Sequence, residues 1–372
     1  MAEPAYLRVF GHEDLRQRLS AAIIADRLPQ SLIFQGPRGI GKQRLALWTA
    51  AAINCSDEAV RPCGACRSCR LASRLAHPDI HWFFPLPRPK RASGPDQMRQ
   101  KLEELRASAL QERRENRFYL EEWEGPTGIY IAAAHTMRGL VQKSPAMGPN
   151  KVLVIGRAET LISQMGSDEA ANALLKPLEE PPADTTVILT SAVPGALLPT
   201  IRSRVQAVRM APLSVAQVRE FLVSEADLSP GEASALAASS GGSIGRALAS
   251  HDEEQEAARQ SARDLVEALF AGGHSARLAA AHAYRAFGAR GTLTRVLTEM
   301  TRMLRDLLAD RSGAPDAVLD PGSVPSISPA PEPSPEQLIQ ALDTVEEMRL
   351  LAERNVNPQL IVANLLAQAR VA

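Results

Sequence analysis

The stretch with the clearest chemistry is "GPRGIGKQ", Gly36 to Gln43, which fits the pattern G-x-x-x-x-G-K. Glycines let backbone N–H groups turn towards phosphate oxygens, and a lysine at this spacing neutralises the outer phosphates of a nucleotide. The residue after the lysine is normally Ser or Thr, whose hydroxyl binds Mg²⁺, and here it is a glutamine. The motif predicts these nucleotide-binding residues: Gly36, Gly39, Gly41, Lys42 and Gln43. We therefore expect phosphate binding with an incomplete seat for the metal.

A second metal-organising position is also altered. The apolar run Val152–Ile155 predicts a buried strand, and in nucleotide hydrolases such a strand ends in acids, whereas here Gly156 and Arg157 follow. Phosphoryl transfer depends on positioning and charge neutralisation, so the loss of both features should cost several kcal/mol of barrier. The pattern predicts a site that could hold ATP or ADP without hydrolysing it. The alternative, an active site rescued by the nearby Glu159, stays open.

All four cysteines lie in one short segment, at Cys55, Cys63, Cys66 and Cys69. The x2 spacings bring the last three sulfurs close together, and four thiolates suit tetrahedral Zn²⁺ in a closed structural site. Unliganded thiols and an iron–sulfur cluster are the alternatives. We interpret the neighbouring His77 and His81 as ordinary polar residues and not as ligands.

The elements that must position these residues follow an alternating pattern. "SLIFQ" predicts a strand at 31–35, and the glycine-rich turn leads into a helix from Lys42 to Cys55. Further strands are predicted at 152–155 and 185–191. Strands that alternate with helices favour an α/β fold with a parallel sheet covered on both faces.

Two segments interrupt this organisation. Residues 84–128 form a charged insertion, for which we expect a solvated surface segment; the alternative is a basic patch at Arg88, Lys90 and Arg91 that touches DNA or a partner. After residue 212 the pattern is helical, and residues 313–337 are rich in proline and serine, which predicts a mobile loop.

Composition sets limits on function. The 372 residues include 42 Lys and Arg and 42 Asp and Glu, so bulk charge does not indicate a nucleic-acid binder. No stretch is long and apolar enough to span a bilayer, and the N-terminus lacks the pattern of a signal peptide. We expect a soluble, cytoplasmic protein without membrane contact.

The motifs occur in the order found in bacterial clamp-loader subunits, and the chain resembles that family. Clamp loaders are AAA+ proteins that open a sliding clamp and place it on primed DNA. Besides the phosphate loop and the cysteine cluster, the resemblance rests on "ANALLKPLEEPP" (171–182), "TIRSR" (200–204) and "NVNPQL" (355–360). It covers nearly the whole chain, apart from 84–128 and 313–337.

Within this family the chain resembles the delta-prime type. The gamma and tau ATPase subunits have a complete phosphate loop and a strand that ends in Asp-Glu, whereas delta-prime is a stator with a defective ATPase site. Gln43 and the pair Gly156-Arg157 match the stator. The resemblance implies that Arg204 is an arginine finger, offered in trans to a neighbouring ATPase subunit. Arg202 is its competitor for that role.

The resemblance also assigns a role to Arg246, in "GGSIGRAL", as a second sensor arginine that reaches a bound nucleotide. The alternative is a surface charge at a helix start. Pro177 departs from the family pattern, because a proline in a helix removes a backbone donor. We expect a kink or an early helix end there.

The implied architecture is α/β: an AAA+ P-loop core with a parallel sheet and an inserted zinc clip, then a small helical lid and an all-α collar domain. The core spans 1–211, with the zinc module at about 55–69; the lid spans 212–250 and the collar 251–372.

The implied partners are gamma/tau-type ATPase subunits and a delta subunit in a hetero-pentamer. Through this complex the chain would reach the sliding clamp and primer-template DNA. It would be a subunit of a DNA polymerase holoenzyme without being catalytic itself. Two competing functions remain: an active clamp-loader ATPase, and a zinc-bearing protein that binds DNA alone, which the neutral charge and 4% aromatic content disfavour.

Overall fold

The fold was determined as a computed structural model. It describes residues 8–89, 92, 94–116, 118, 123, 127–161, 168–249, 253–270, 273–284, 290–314, 318, 333–353 and 356–368. The predicted loop at 313–337 and the basic residues Lys90 and Arg91 lie largely or wholly outside these residues. The described residues form two compact units, one within 1–121, 127–217 and 243–245, the other within 122–126, 218–242 and 246–372. The three-part division into core, lid and collar stays a prediction.

The strands of the first unit are β1 (Ser31–Gln35), β2 (Ile80–Phe83), β3 (Leu86–Pro87), β4 (Thr127–Gly128), β5 (Lys151–Ile155), β6 (Thr185–Ser191) and β7 (Gln206–Arg209). Its helices are α1 (Glu13–Ile24), α2 (Lys42–Ile53), α3 (Arg67–Ser73), α4 (Pro95–Glu115), α5 (Ile131–Val141), α6 (Glu169–Ala173), α7 (Leu175–Glu179) and α8 (Pro199–Arg202). Helices α9 (Val215–Glu225) to α16 follow, with α10 (Pro230–Ser239), α11 (Ile244–Ala249), α12 (Glu253–Phe270), α13 (His274–Ala283), α14 (Arg290–Arg311), α15 (Pro335–Glu353) and α16 (Pro358–Gln368).

The main sheet is five-stranded and parallel, in the order β2-β5-β6-β1-β7. The predicted strands β1, β5 and β6 are confirmed, and so is the α/β fold. β5 and β6 are buried along their whole length, which is why their sequences are nearly continuous apolar runs. Parallel strands end at the same edge of a sheet, so the residues after β1, β5 and β6 meet there.

The helix expected around residues 168–178 is broken in two. α6 ends at Ala173, four residues before Pro177, and α7 starts at Leu175, so the break falls at Leu174. A proline ring clashes with the carbonyl four residues earlier and offers no N–H to it. The interruption predicted from this proline is confirmed.

Part of the charged insertion is a helix that packs against the rest of the first unit. This helix, α4, buries Leu102, Ala109 and Arg113, and the guanidinium of Arg113 lies 3.8 Å from the ring centre of Phe84 and 4.8 Å from that of Trp82. A cation over an aromatic face is a favourable contact. One face of α4 is therefore packed, while the exposed Arg88 is the only described residue of the proposed basic patch.

The second unit has a helical core of its own, to which α12, α14, α15 and α16 contribute buried residues such as Leu265, Leu304, Val345 and Ile361. In the described part of the chain, no helix combines the length and apolarity that crossing a membrane requires.

Candidate functional site

The phosphate loop lies between β1 and α2, as predicted. Its glycines take backbone angles that other residues avoid, with φ of 155° at Gly36, 76° at Gly39 and 95° at Gly41. A Cβ on Gly36 would also lie 2.4 Å from the carbonyl oxygen of Met210. The loop therefore has the strand–loop–helix setting that a phosphate cradle needs.

Lys42 is folded back onto its own loop. Its ammonium donates hydrogen bonds to the carbonyl oxygens of Gly36 at 2.7 Å and Pro37 at 2.5 Å, and the residue is 8% exposed. Burial lowers the pKa of Lys42 to about 8, against the opposing effect of the Glu159 charge. A nucleotide phosphate would have to replace these two carbonyl contacts.

The side chain of Gln43, the residue after the loop lysine, lies between Trp82 and Gly156. Gln43 Oε1 accepts a hydrogen bond from the indole nitrogen of Trp82 at 3.1 Å. A Cβ on Gly156, at the end of β5, would lie 2.6 Å from the same oxygen. Gln43 and Gly156, the two positions that the sequence singled out, are thus packed against each other.

The two residues that directly follow β5, Gly156 and Arg157, are not acidic. Arg157 has a left-handed backbone (φ 53°), and its N–H donates to Thr190 Oγ1 at 3.1 Å. Glu159 lies in a short 3₁₀ turn, where one oxygen accepts from the backbone N–H of Ala192 at 3.4 Å. Its other oxygen is buried and, within the described residues, has no hydrogen-bond partner. Glu159 is thus the acid whose charge reaches Lys42.

A distant segment of the chain also contacts the loop. Ser243 Oγ donates a hydrogen bond to the carbonyl oxygen of Arg38 at 2.9 Å. The N–H of Gly245 donates to the carbonyl oxygen of Gly39, also at 2.9 Å. A Cβ on Gly245 would lie 2.9 Å from Gly39 Cα, so the close approach requires glycine. Residues 243–245 thereby fix the outer carbonyls of the loop.

Arg204 lies at the surface, just after α8. Its guanidinium forms an ion pair with Glu179 at 2.5 Å and donates to the carbonyl oxygen of Thr200 at 2.8 Å. The side chain is 28% exposed. The structure therefore presents a partly accessible arginine, held at both terminal nitrogens, at the position that the sequence singled out.

Arg246 faces carboxylates of its own unit. Burial lowers the pKa of Arg246 to about 10; the charges of Arg302 and Arg305 act in the same direction, and those of Glu299 and Asp306 oppose it. Glu299 is itself buried and paired with Arg302 at 2.5 Å. A contact between Arg246 and nucleotide stays a prediction.

The four cysteines are brought together as predicted. All four sulfurs lie within 4.8 Å of one another, and those of Cys55 and Cys66 are 4.0 Å apart. Tetrahedral Zn²⁺ with Zn–S bonds of about 2.3 Å needs sulfurs about 3.8 Å apart, so the donor set fits the metal.

Backbone N–H groups also donate to these sulfurs, from Cys63 to Cys55 at 3.3 Å and from Cys66 to Cys63 at 3.3 Å. Such bonds stabilise the thiolates that a metal requires. His77 and His81 are not in the cluster, and His77 instead contacts Ser68 Oγ at 2.9 Å.

Two contacts of this region were missed from the sequence. Trp82 lies in "DIHWFF", where no pattern predicts a contact with the loop. Its hydrogen bond to Gln43 joins positions 39 residues apart. Glu179 belongs to the quoted motif "LEEPP", but no spacing rule links it to Arg204. The only feature of the sequence that marks Glu179 is its place in a pair of adjacent glutamates before two prolines.

Comparison with known proteins identifies the relatives of the chain. Its sequence is 32% identical to DNA polymerase III subunit delta' of Pseudomonas aeruginosa over 173 residues, 46% of this chain and 40% of that protein. It is 30% identical to the same subunit of Bacillus subtilis over 216 residues, 58% of this chain and 52% of that one. The aligned part is thus about half the length of these two relatives. Identity to the Escherichia coli subunit is 28% over 355 residues, 94% of this chain and 91% of that protein.

A family model described as "DNA polymerase III, delta subunit" matches residues 11–214, which is more than half of the chain. The matched range includes the phosphate loop, the cysteine cluster and Arg204. The chain therefore belongs to the DNA polymerase III delta subunit family, and its resemblance to the delta-prime type of clamp-loader subunit is confirmed.

Proposed function

We propose that this protein is the stator of a bacterial DNA polymerase III clamp loader, a subunit that does not hydrolyse ATP and lends Arg204 to a neighbouring ATPase subunit. The observation that carries the proposal is the Gln43 amide, which occupies the space beside Gly156 where a metal-holding side chain would be. Without a seat for Mg²⁺, charge on a transferring phosphoryl group has no counter-ion there.

Arg204 can still contribute to catalysis in a neighbouring subunit even if this chain hydrolyses no nucleotide itself. A guanidinium placed in trans stabilises the charge on the transferring phosphoryl group of a neighbour. Arg204 has the partial exposure and the fixed side chain that such a role needs. The partners would be gamma/tau-type ATPase and delta subunits, and the complex would act on the sliding clamp and primed DNA in the cytoplasm.

The metal and nucleotide assignments belong to the same proposal. Zn²⁺ would be held by Cys55, Cys63, Cys66 and Cys69, where it would tie the loop before α3 to the end of α2 without taking part in chemistry. ATP or ADP would be held by the loop glycines and Lys42, once the lysine leaves its two carbonyl partners. An AAA+ core, a lid at 212–250 and a collar at 251–372 complete the proposed architecture.

The decisive experiment reconstitutes the clamp loader from its cognate subunits and measures DNA-stimulated ATP turnover and clamp loading. Arg204→Ala should lower turnover several-fold, because the one site at its interface loses its arginine. Arg202→Ala is the matched control, since that residue is exposed and two positions away. Turnover that is undiminished in Arg204→Ala, or diminished only in Arg202→Ala, would refute the assignment.

An active ATPase is the second candidate, and it is favoured by the charge of Glu159, which acts on Lys42, and by the buried Glu159 oxygen that has no hydrogen-bond partner among the described residues. Purified chain with radiolabelled ATP decides between the two. Steady turnover that Lys42→Ala and Glu159→Gln both abolish would establish the motor, whereas a stator shows none.

A further inference from the structure

The ion pair between Glu179 and Arg204 joins two sequence motifs. Arg204 Nη2 lies 2.5 Å from Glu179 Oε1, while Nη1 donates to the carbonyl oxygen of Thr200 at 2.8 Å and to Ser203 Oγ at 3.4 Å. The guanidinium is thus held at both terminal nitrogens. Its third nitrogen, Nε, is buried and has no hydrogen-bond partner among the described residues.

Glu179 belongs to a different helix from the residues around Arg204. It is the last residue of the short helix α7, which packs against α8, the helix that carries Thr200. The carboxylate therefore arrives beside the arginine from a different element.

The pair has the properties of a positioning contact more than of a stabilising one. The side chain of Glu179 is 51% exposed, and exposed ion pairs contribute little to folding. A long arginine side chain at a surface otherwise samples many rotamers, and anchoring it in advance lowers the entropy lost when it meets a phosphate. A charged group that is already in place also stabilises a transition state more strongly than a mobile one, because it does not have to reorganise during the reaction.

We propose that Glu179 is the positioning residue for Arg204: it fixes the guanidinium in the orientation that a neighbouring subunit's nucleoside triphosphate requires. The inference rests on the proposed function, since it concerns the same arginine. Glu179 does not touch the nucleotide; it acts through Arg204.

The test uses the reconstituted clamp loader with saturating primed DNA. Glu179→Ala should lower kcat for ATP roughly three- to tenfold with KM unchanged, because an arginine acting on the transition state affects the chemical step. Glu179→Gln, which keeps an acceptor oxygen, should retain an intermediate rate. Glu180→Ala is the matched control, as it removes the adjacent exposed glutamate and should leave kcat unchanged.

A structural role is separated by two further measurements. The thermal midpoint of isolated Glu179→Ala and its incorporation into the complex should equal those of the wild type. In the Glu179→Ala/Arg204→Ala double variant, kcat should be no lower than in Arg204→Ala alone, because Glu179 has no arginine left to position.

Each outcome bears on one claim. If Arg204→Ala lowers kcat and Glu179→Ala does not, the positioning role is wrong and the stator function stands. Higher turnover in Glu179→Ala also overturns the inference, because the carboxylate would then be masking the arginine. If Arg204→Ala has no effect, the proposed function fails and the inference fails with it.

Discussion

The side-chain amide of Gln43 lies where a side chain at position 156 would have to be, since a Cβ on Gly156 would be 2.6 Å from Gln43 Oε1. The oxygen is kept there by the indole N–H of Trp82 at 3.1 Å. The two altered positions of the phosphate site therefore form one packed arrangement, and each should depend on the other.

Gly156→Ala should displace the Gln43 amide and lower the free energy of unfolding by about 1–2 kcal/mol, through overpacking and the lost hydrogen bond. In a Gln43→Ala background the added methyl group has room, so the same substitution should cost much less. Chemical denaturation of the two single variants and the double variant measures this coupling. Strictly additive effects would show that the two residues do not share the space.

Nucleotide binding by the isolated chain should not depend on Mg²⁺. Because the proposed function leaves no seat for the metal beside Gln43, the dissociation constants for ATP measured by calorimetry with Mg²⁺ and with EDTA should agree within about twofold. Lys42→Ala should weaken binding at least about tenfold, because the main phosphate cation is lost. Tighter binding with Mg²⁺ would contradict this loss of the metal seat.

Removal of one cysteine should release the metal and loosen the first unit. Cys69 is fully buried, and its sulfur packs with Cys55, Ala51 and Ala72. In Cys69→Ser, zinc content measured by mass spectrometry should fall from one equivalent towards zero, and the thermal midpoint should drop by several degrees. A chelator should likewise remove the zinc from the wild type and lower its thermal midpoint. Wild-type protein with four titratable thiols and no zinc would contradict the site.

The first unit should lose stability in mild acid through His81. Burial lowers the pKa of His81 to about 4, and the charges of Arg106 and Lys151 act in the same direction. Between the ordinary histidine pKa of about 6.5 and that value the unfolded chain holds a proton that the folded chain lacks, so stability falls as pH falls. The effect should be on the order of 2 kcal/mol for this partly exposed ring.

His81→Gln should flatten the dependence of unfolding free energy on pH between about 6.5 and 4. His135→Gln is the matched control, because His135 is exposed and should leave the slope unchanged. Equal slopes in all three proteins would show that His81 titrates normally in the folded state.

Much of the fold and part of the site could be predicted from the sequence. Local patterns identified β1, β5 and β6, the phosphate loop and the cysteine cluster, because strand burial and short ligand spacings are written in neighbouring residues. β7 escaped detection since three of its four residues are exposed and none forms an apolar run. The break before Pro177 was predictable because proline acts on its own helix.

The long-range contacts around the candidate site could not be predicted from such patterns. Gln43 with Trp82, Arg204 with Glu179, and Gly245 with Gly39 each join residues far apart in the chain. Their pairing depends on strand order and helix ends, which a single sequence does not specify. The sequence predicts that the metal seat is lost, but it gives no sign that the Gln43 amide lies against Gly156.

The packing of Gln43 against Gly156 has an evolutionary consequence under the proposed function. A chain that regained only the acid at position 156 would meet an occupied space and lose stability, while one that regained only the hydroxyl at position 43 would still lack a carboxylate for magnesium. If the chain is a stator, as proposed, neither single reversion would bring activity for selection to favour, so hydrolysis would be hard to regain once lost. A return to motor activity would require at least two changes together, which makes the passive state easy to keep once it has arisen.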